Sequence, residues 1–229
     1  MVPTPLGNLE DMPPRALRAL RESRLILCED TRRTRALLSH FGVHAPVERY
    51  DDHDPRGVEA SLEKLRAGQD LALVSDSGTP VLSDPGLNLV SRARREGLPV
   101  TSLPGPFAAA AAVAGSGLPG DSFVFLGFLP RSASRRARAL REAAALDKTI
   151  AVYESPQRIV DLVRTAIDVL GPSTAAAAVR ELSKKFEEWT VGSLSEVKAK
   201  LEASGKPLGE FVLVLRPGNG RRSEESRAG

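Results

Sequence analysis

The residues able to do chemistry in this sequence gather in short polar loops, each following an apolar run. Residues 71–74, Leu-Ala-Leu-Val, lead into Asp76-Ser77-Gly78-Thr79-Pro80. A short apolar run with such boundaries reads as a buried parallel strand. In open α/β sheets the loops after such strands are where ligands sit. Gly78 lets backbone approach a ligand closely, and Pro80 stiffens the exit. Gly7-Asn8, Glu29-Asp30, Pro104-Gly105-Pro106, Glu154-Ser155 and Arg180-Glu181 are further loops of this kind. Together they would surround a ligand with backbone groups and carboxylates. That set suits a neutral-to-cationic, adenosine-containing ligand better than a polyphosphate, because a carboxylate can meet a sulfonium or an amino group. Taken singly, each loop is also compatible with a tight connection that binds nothing.

Several chemistries are absent from the pattern. There is no G-x-x-x-x-G-K-[ST] phosphate loop and no G-x-G-x-x-G dinucleotide fingerprint. No G-x-S-x-G nucleophile elbow occurs. His40 and His44 are four apart, but Gly42 between them ends the helix, so no metal site is expected. Cys28, the only cysteine, lies in an apolar run and reads as a small buried hydrophobe.

The elements that must position these loops alternate throughout. Residues 1–3 read as the end of a first strand, and a helix follows from about Asp11. A strand over 25–28 precedes a helix over 32–40. A short strand over 47–50 leads to Asp51-Asp52-His53-Asp54, where Asp54-Pro55 caps a helix that Gly68 ends. The strand over 71–74 is followed by a helix beginning near Pro85 with Asp84 as its cap, then a strand over 100–103 and an Ala-rich helix over 107–114. Strands are predicted over 123–126, 149–153, 175–179, 186–191 and 211–215, and helices over 133–146 and 194–203. A further helix opens with Ser155 as cap and Pro156 at its first position and ends at Gly171. The β-loop-α order argues an α/β fold. The Gly-rich stretch 115–120 places a boundary between an N-terminal α/β domain, 1–117, and a C-terminal α/β domain, 118–217. Residues 218–229 read as a disordered tail.

Composition sets broad limits. Hydrophobic residues make up 41% and charged residues 27%, the balance of a globular domain. No apolar stretch approaches the roughly 20 residues of a membrane span. The single cysteine fits a reducing cytoplasm, and a cytoplasmic protein is expected. The net charge of +3 is too small to argue for nucleic acid by itself, but the arginines cluster at 32, 33 and 35 and again at 131, 135, 136, 138 and 141. Aromatics are 4% of the chain, and no stacking surface for single-stranded bases is visible.

Eight segments in order carry a resemblance: Val2-Pro3-Thr4-Pro5-Leu6-Gly7-Asn8-Leu9, Glu29-Asp30-Thr31-Arg32, Ser75-Asp76-Ser77-Gly78-Thr79-Pro80, Asp84-Pro85-Gly86, Pro104-Gly105-Pro106, Gly127-Phe128-Leu129-Pro130, Tyr153-Glu154-Ser155-Pro156-Gln157-Arg158 and Arg180-Glu181-Leu182-Ser183-Lys184. With these the chain resembles the ribosomal-RNA-methylating branch of the tetrapyrrole (corrin/porphyrin) methylase family, from Met1 to about Pro217. Relatives often have alanine where Ser77 stands, and usually a longer first strand ahead of Val2.

The resemblance implies two α/β domains with the cofactor, S-adenosylmethionine, in the cleft between them, and a homodimer. It implies 2′-O-methylation of a cytidine ribose in the decoding region of 16S rRNA in the small ribosomal subunit. The cofactor would then meet Gly7, Asn8, Asp76, Ser77, Gly78, Thr79, Pro80, Pro104, Gly105, Pro106, Tyr153 and Arg180. Asp30, His53, Glu154 and Glu181 are the candidate bases, with Glu154 and Glu181 foremost. Each acid has a structural alternative: Asp30 as a helix cap, Glu154 paired with Arg158, Glu181 with Lys184. RNA would be held by Arg32, Arg33, Arg131, Arg135, Arg136, Arg158, Lys184 and Lys185. A tetrapyrrole methyltransferase of the same fold and a non-catalytic RNA-binding module are the competing readings.

Overall fold

Three apolar runs build the first sheet. β1 (Leu25–Cys28), β2 (Val47–Arg49) and β3 (Leu71–Leu73) lie parallel in the order β2-β1-β3. The structure, a computed structural model, describes residues 1–203, 205 and 208–218, so most of the expected tail lies outside the described residues. The chain divides into two units, Met1–Phe107 and Ala108–Gly229.

In the first unit both faces of the sheet are covered, which is why its strands are continuously apolar. Ile26, Cys28, Ala72 and Val74 pack with Ala16 and Leu20 of α1 (Pro14–Glu22) and Leu38 of α2 (Thr31–His40). Leu25, Leu27 and Leu73 pack on the other face with Val58 and Leu62 of α3 (Pro55–Arg66) and Leu89 and Ala93 of α4 (Leu87–Arg95). Residues 1–4 run alongside β3: Val2 N–H donates to Leu73 O, and Leu103 N–H donates to Met1 O. The segments expected as strands at 1–3 and 100–103 are thus extended and hydrogen-bonded, without a full ladder. α4 starts later than expected. Its cap is Gly86, not Asp84, because the helix begins hard against β3: a Cβ on Gly86, at φ +131°, would lie 2.4 Å from Leu73 Cδ2.

The second unit has a mixed sheet, β4-β5-β8-β6-β7, made of β4 (Phe123–Phe128), β5 (Thr149–Glu154), β6 (Ala175–Arg180), β7 (Glu188–Ser193) and β8 (Phe211–Arg216). Only β4 and β5 pair in parallel; β8 lies antiparallel between β5 and β6. Ile150, Val152, Ala176, Ala178, Leu213 and Leu215 face a core shared with α6 (Ala133–Ala144), α7 (Ile159–Leu170) and α8 (Leu194–Ala203). The Ala-rich helix α5 (Ala108–Gly115) packs on β5 and β8, which places it in this unit, ahead of the Gly-rich stretch. α7 opens three residues later than Pro156 predicts, at Ile159, with Arg158 as its cap and no side-chain cap bond.

Candidate functional site

Three of the predicted loops form one knot in the first unit. Thr4 and Gly78 exchange both backbone hydrogen bonds, at 2.9 and 3.1 Å. Thr4 Oγ1 donates to Ser75 O at 3.2 Å, Ser75 Oγ to Gly78 O at 3.1 Å, and Thr79 Oγ1 to Pro106 O at 2.9 Å. A Cβ on Gly105 would lie 2.2 Å from Pro3 Cγ, so the loops interlock at van der Waals range. A Cβ on Gly78, at φ +83°, would lie 3.3 Å from Leu6 Cδ2 and 3.4 Å from Pro106 O. The missing side chain lets these two neighbouring loops close on Gly78. Gly7, Asn8, Pro104 and Gly105 are exposed beside it, Asp76, Ser77, Thr79 and Pro106 are half-buried, and Pro80 is buried. Just beyond, Val81 and Ser83 hold φ of +77° and +69°. A β-branched residue there is strained by about 1–3 kcal/mol, and such strain clusters at functional sites.

Asp76 ties this knot to the carboxyl end of β1. Its Oδ1 accepts from Asp30 N–H at 3.3 Å and its Oδ2 from Arg33 Nη1 at 3.2 Å. Asp30 caps α2, accepting from Arg32 N–H at 2.8 Å and Arg33 N–H at 3.4 Å, and it holds Arg32 Nη2 at 3.1 Å. The Arg32 guanidinium and then the Arg32 N–H pull its carboxyl down to about 2. His53 is exposed in the loop after β2, its own N–H bonded to Asp51 Oδ1 at 2.9 Å. Asp30, His53 and Asp76 therefore follow the carboxyl ends of three neighbouring parallel strands, where α/β sheets bind ligands. A cleft of about 480 Å³ opens there, lined by Glu29, Asp30, Arg32, Arg33, Arg49 and Asp76. A second cavity of about 440 Å³, lined by Asp70, Leu71 and Val100 among others, lies toward the amino ends of β1 and β3, away from these loops.

In the second unit Glu154 and Arg180 both lie level with Phe211, so they end β5 and β6 at the same edge, as expected. Both favoured carboxylates also have structural partners. The Glu154 side chain is 0% exposed. Its Oε1 accepts from Ser155 N–H at 2.8 Å, and Arg158 Nη2 stands 3.1 Å from Oε2, off the axis of a hydrogen bond. Arg158 also donates to Leu129 O. Glu181, at φ +51°, accepts from Lys184 Nζ and Glu210 N–H, both at 2.9 Å. Burial raises its pKa, but the Glu210 N–H and the Lys184 ammonium outweigh burial and leave it below the usual range. Lys184 also bridges to Glu210. Arg180 pairs with Glu188 at 3.1 Å, and Tyr153 Oη accepts from Ala109 N–H at 3.2 Å.

The arginines separate by exposure. Arg32, Arg33, Arg131 and Arg135 face solvent, as does Lys185, while Arg158 and Lys184 are half-buried in ion pairs. Arg136 is buried, donating to Thr165 Oγ1 at 2.9 Å, so it belongs to the α6–α7 contact and is withdrawn from the RNA set. The sequence reading missed one group. Phe125 and Phe128 both meet the Tyr153 ring edge-on, at 4.8 and 5.6 Å between centroids. The signal was Gly127 inside an apolar run, which suggests a bulge.

The comparisons agree with this architecture. The family model for Tetrapyrrole (Corrin/Porphyrin) Methylases matches residues 1–198. A Thermotoga maritima protein named ribosomal RNA small subunit methyltransferase I is 43% identical over 216 residues, covering 94% of this chain and 96% of its own. One of the same name from Escherichia coli O157:H7 is 41% identical, covering 98% and 78%. Among solved structures, the methyltransferase CobJ superposes with a TM-score of 0.69 at 18% identity, covering 95% of this chain and 92% of its own. Uroporphyrin-III C-methyl transferase from Thermus thermophilus, complexed with S-adenosyl homocysteine, gives 0.60 at 21%, covering 91% and 92%. These two likenesses are of fold.

Proposed function

The chain belongs to the tetrapyrrole (corrin/porphyrin) methylase family, and from that premise we propose that it transfers a methyl group from S-adenosylmethionine to the 2′-hydroxyl of a cytidine in the decoding region of 16S rRNA. The observation that carries this is the knot of residues 4–8, 76–80 and 104–106 at the carboxyl edge of a parallel sheet. It leaves Gly7, Asn8, Pro104 and Gly105 exposed, with half-buried Asp76 in the same loop cluster. The lining fits a cationic nucleoside: the Asp76 carboxylate and exposed Gly7, Asn8, Pro104 and Gly105, without a glycine-rich phosphate cradle. When bound, S-adenosylmethionine supplies an electrophilic methyl carbon on a sulfonium sulfur.

The chain's own residues then have defined tasks. The knot fixes the ligand's orientation, and an in-line displacement gains most from such alignment. A ribose hydroxyl needs its proton drawn off as its oxygen attacks. With Asp30 capping a helix, Glu154 enclosed and Glu181 bonded to Lys184, His53 is the remaining candidate, exposed at the same sheet edge. Arg32, Arg33, Arg131 and Arg135 supply phosphate contacts. These exposed arginines favour RNA over a tetrapyrrole as substrate. Mass mapping of ribose methylation in 16S rRNA from a deletion strain tests the reading. Loss of one 2′-O-methylcytidine is expected; an unchanged map, or loss of a base methyl instead, overturns it.

A further inference from the structure

Phe128 is on the surface because of a backbone irregularity. Along β4, Val124 and Leu126 pack into the helix-covered core, while Phe125 meets Tyr153 on the opposite face. Regular alternation would return residue 128 to the core face, level with Glu154. Instead the register shifts between Phe125 and Phe128, with Gly127 at φ +60°, and Phe128 pairs with Tyr153. An inserted residue of this kind re-aims the side chain that follows it. The result is a Phe128 side chain 58% exposed, its ring against Tyr153, while the next residue, Leu129, is 4% exposed. Phe186, also exposed, has Lys185 Nζ 5.6 Å from its ring centroid, whereas the Phe128 ring lies against the Tyr153 ring.

The chain beyond this ring is basic. Arg131 and Arg135 are exposed at the start of α6, and neither forms an ion pair among the described residues. An exposed aromatic followed closely in sequence by exposed guanidinium groups is a composition that suits single-stranded nucleic acid: the ring stacks on a base and the cations meet the flanking phosphates. A second copy docking by this same face would bring arginine against arginine. A duplex offers no uncovered base face.

We propose that Phe128, backed by Tyr153 and Phe125, stacks on an unpaired base of the RNA substrate, with Arg131 and Arg135 on the adjoining phosphates. This rests on the RNA-methylating reading above and adds how the strand is held.

The test uses the full chain, a ten-nucleotide single-stranded RNA and its blunt duplex, with fluorescence anisotropy across a salt series. Phe128→Leu keeps the apolar bulk and removes the π face. Single-strand affinity should fall about five- to hundredfold, the range for one lost base–aromatic stack. Duplex affinity and the slope of log affinity against log salt should not change. Phe128→Trp should restore binding. Replacing Arg131 and Arg135 with Gln should flatten the salt slope. Circular dichroism melts check that each variant folds. Parent-like single-strand affinity in Phe128→Leu overturns the proposal, as does a parent with no preference for single strands. A weakened cofactor affinity by calorimetry would assign the ring to the cofactor, and a smaller sedimenting species would assign it to a contact between copies; either result overturns it. Methylation of small subunits is measured in parallel. An inactive parent with the stacking effect intact rejects the functional reading alone. An active parent whose KM is unmoved by Phe128→Leu rejects the stack alone.

Discussion

Asp30 holds the first turn of α2 with its carboxylate, and that task fixes its acid–base behaviour. Its folded value of about 2 lies below the ordinary 3.8, so the stability it contributes is complete above pH 3.8 and is lost as pH falls toward 2. Asp30→Ser keeps an oxygen cap but cannot titrate. Its unfolding free energy, measured in urea from pH 5 to 2, should therefore fall less steeply than the parent's. Among the described residues no side-chain hydrogen bond gives His53 such a structural duty. His53→Gln should lower single-turnover methylation of small subunits about 10²–10⁴-fold, with cofactor affinity by calorimetry unchanged. Near-parental turnover would leave alignment as the whole mechanism. Glu154→Ala should act on stability instead, at about 3 kcal/mol in denaturant, because it strands the Arg158 charge against a covered site.

Helix α6 shows how one amphipathic element divides like residues between two jobs. Arg135 and Arg136 are neighbours in sequence, about 100° apart on the helix. One faces water; the other reaches Thr165 and Asp161 O on α7. Arg136→Ala should cost about 1–3 kcal/mol of stability and leave RNA affinity of the folded protein unaltered; Arg135→Gln should do the reverse. Sequence could count these arginines but not phase them, since burial of a guanidinium depends on a partner 29 residues away. Local signals did better. Asp54-Pro55 and Gly68 bracket α3 as read, and the apolar run 25–28 is β1 to the residue. What stayed hidden were long-range facts: β8 between β5 and β6, the Gly86 start of α4 set by Leu73, and the β4 bulge. The knot was legible as three separate loops, but not as a knot, because Thr4 and Gly78 meet only after folding. The structural partners read from sequence for the foremost bases are the ones found: Arg158 for Glu154 and Lys184 for Glu181.

For the molecule as a whole, ligand binding should be visible as stability. S-adenosylmethionine at a hundred times its Kd should add about 2.7 kcal/mol to unfolding, read as a raised Tm by calorimetry. No shift would mean that the native state does not bind it. The family resemblance leads us to expect a homodimer, and sedimentation velocity at micromolar concentration should show one. The placement of β8 has a consequence in time. Chains are made amino end first, and β8 is the last strand among the described residues, yet it fills the middle of the sheet. Until residues 211–216 leave the ribosome, β5 and β6 each present an open hydrogen-bonding edge to the cell. The nascent second unit is therefore exposed to mispairing for the whole of its own synthesis, and a chain stopped before Phe211 should aggregate, not merely melt at a lower temperature.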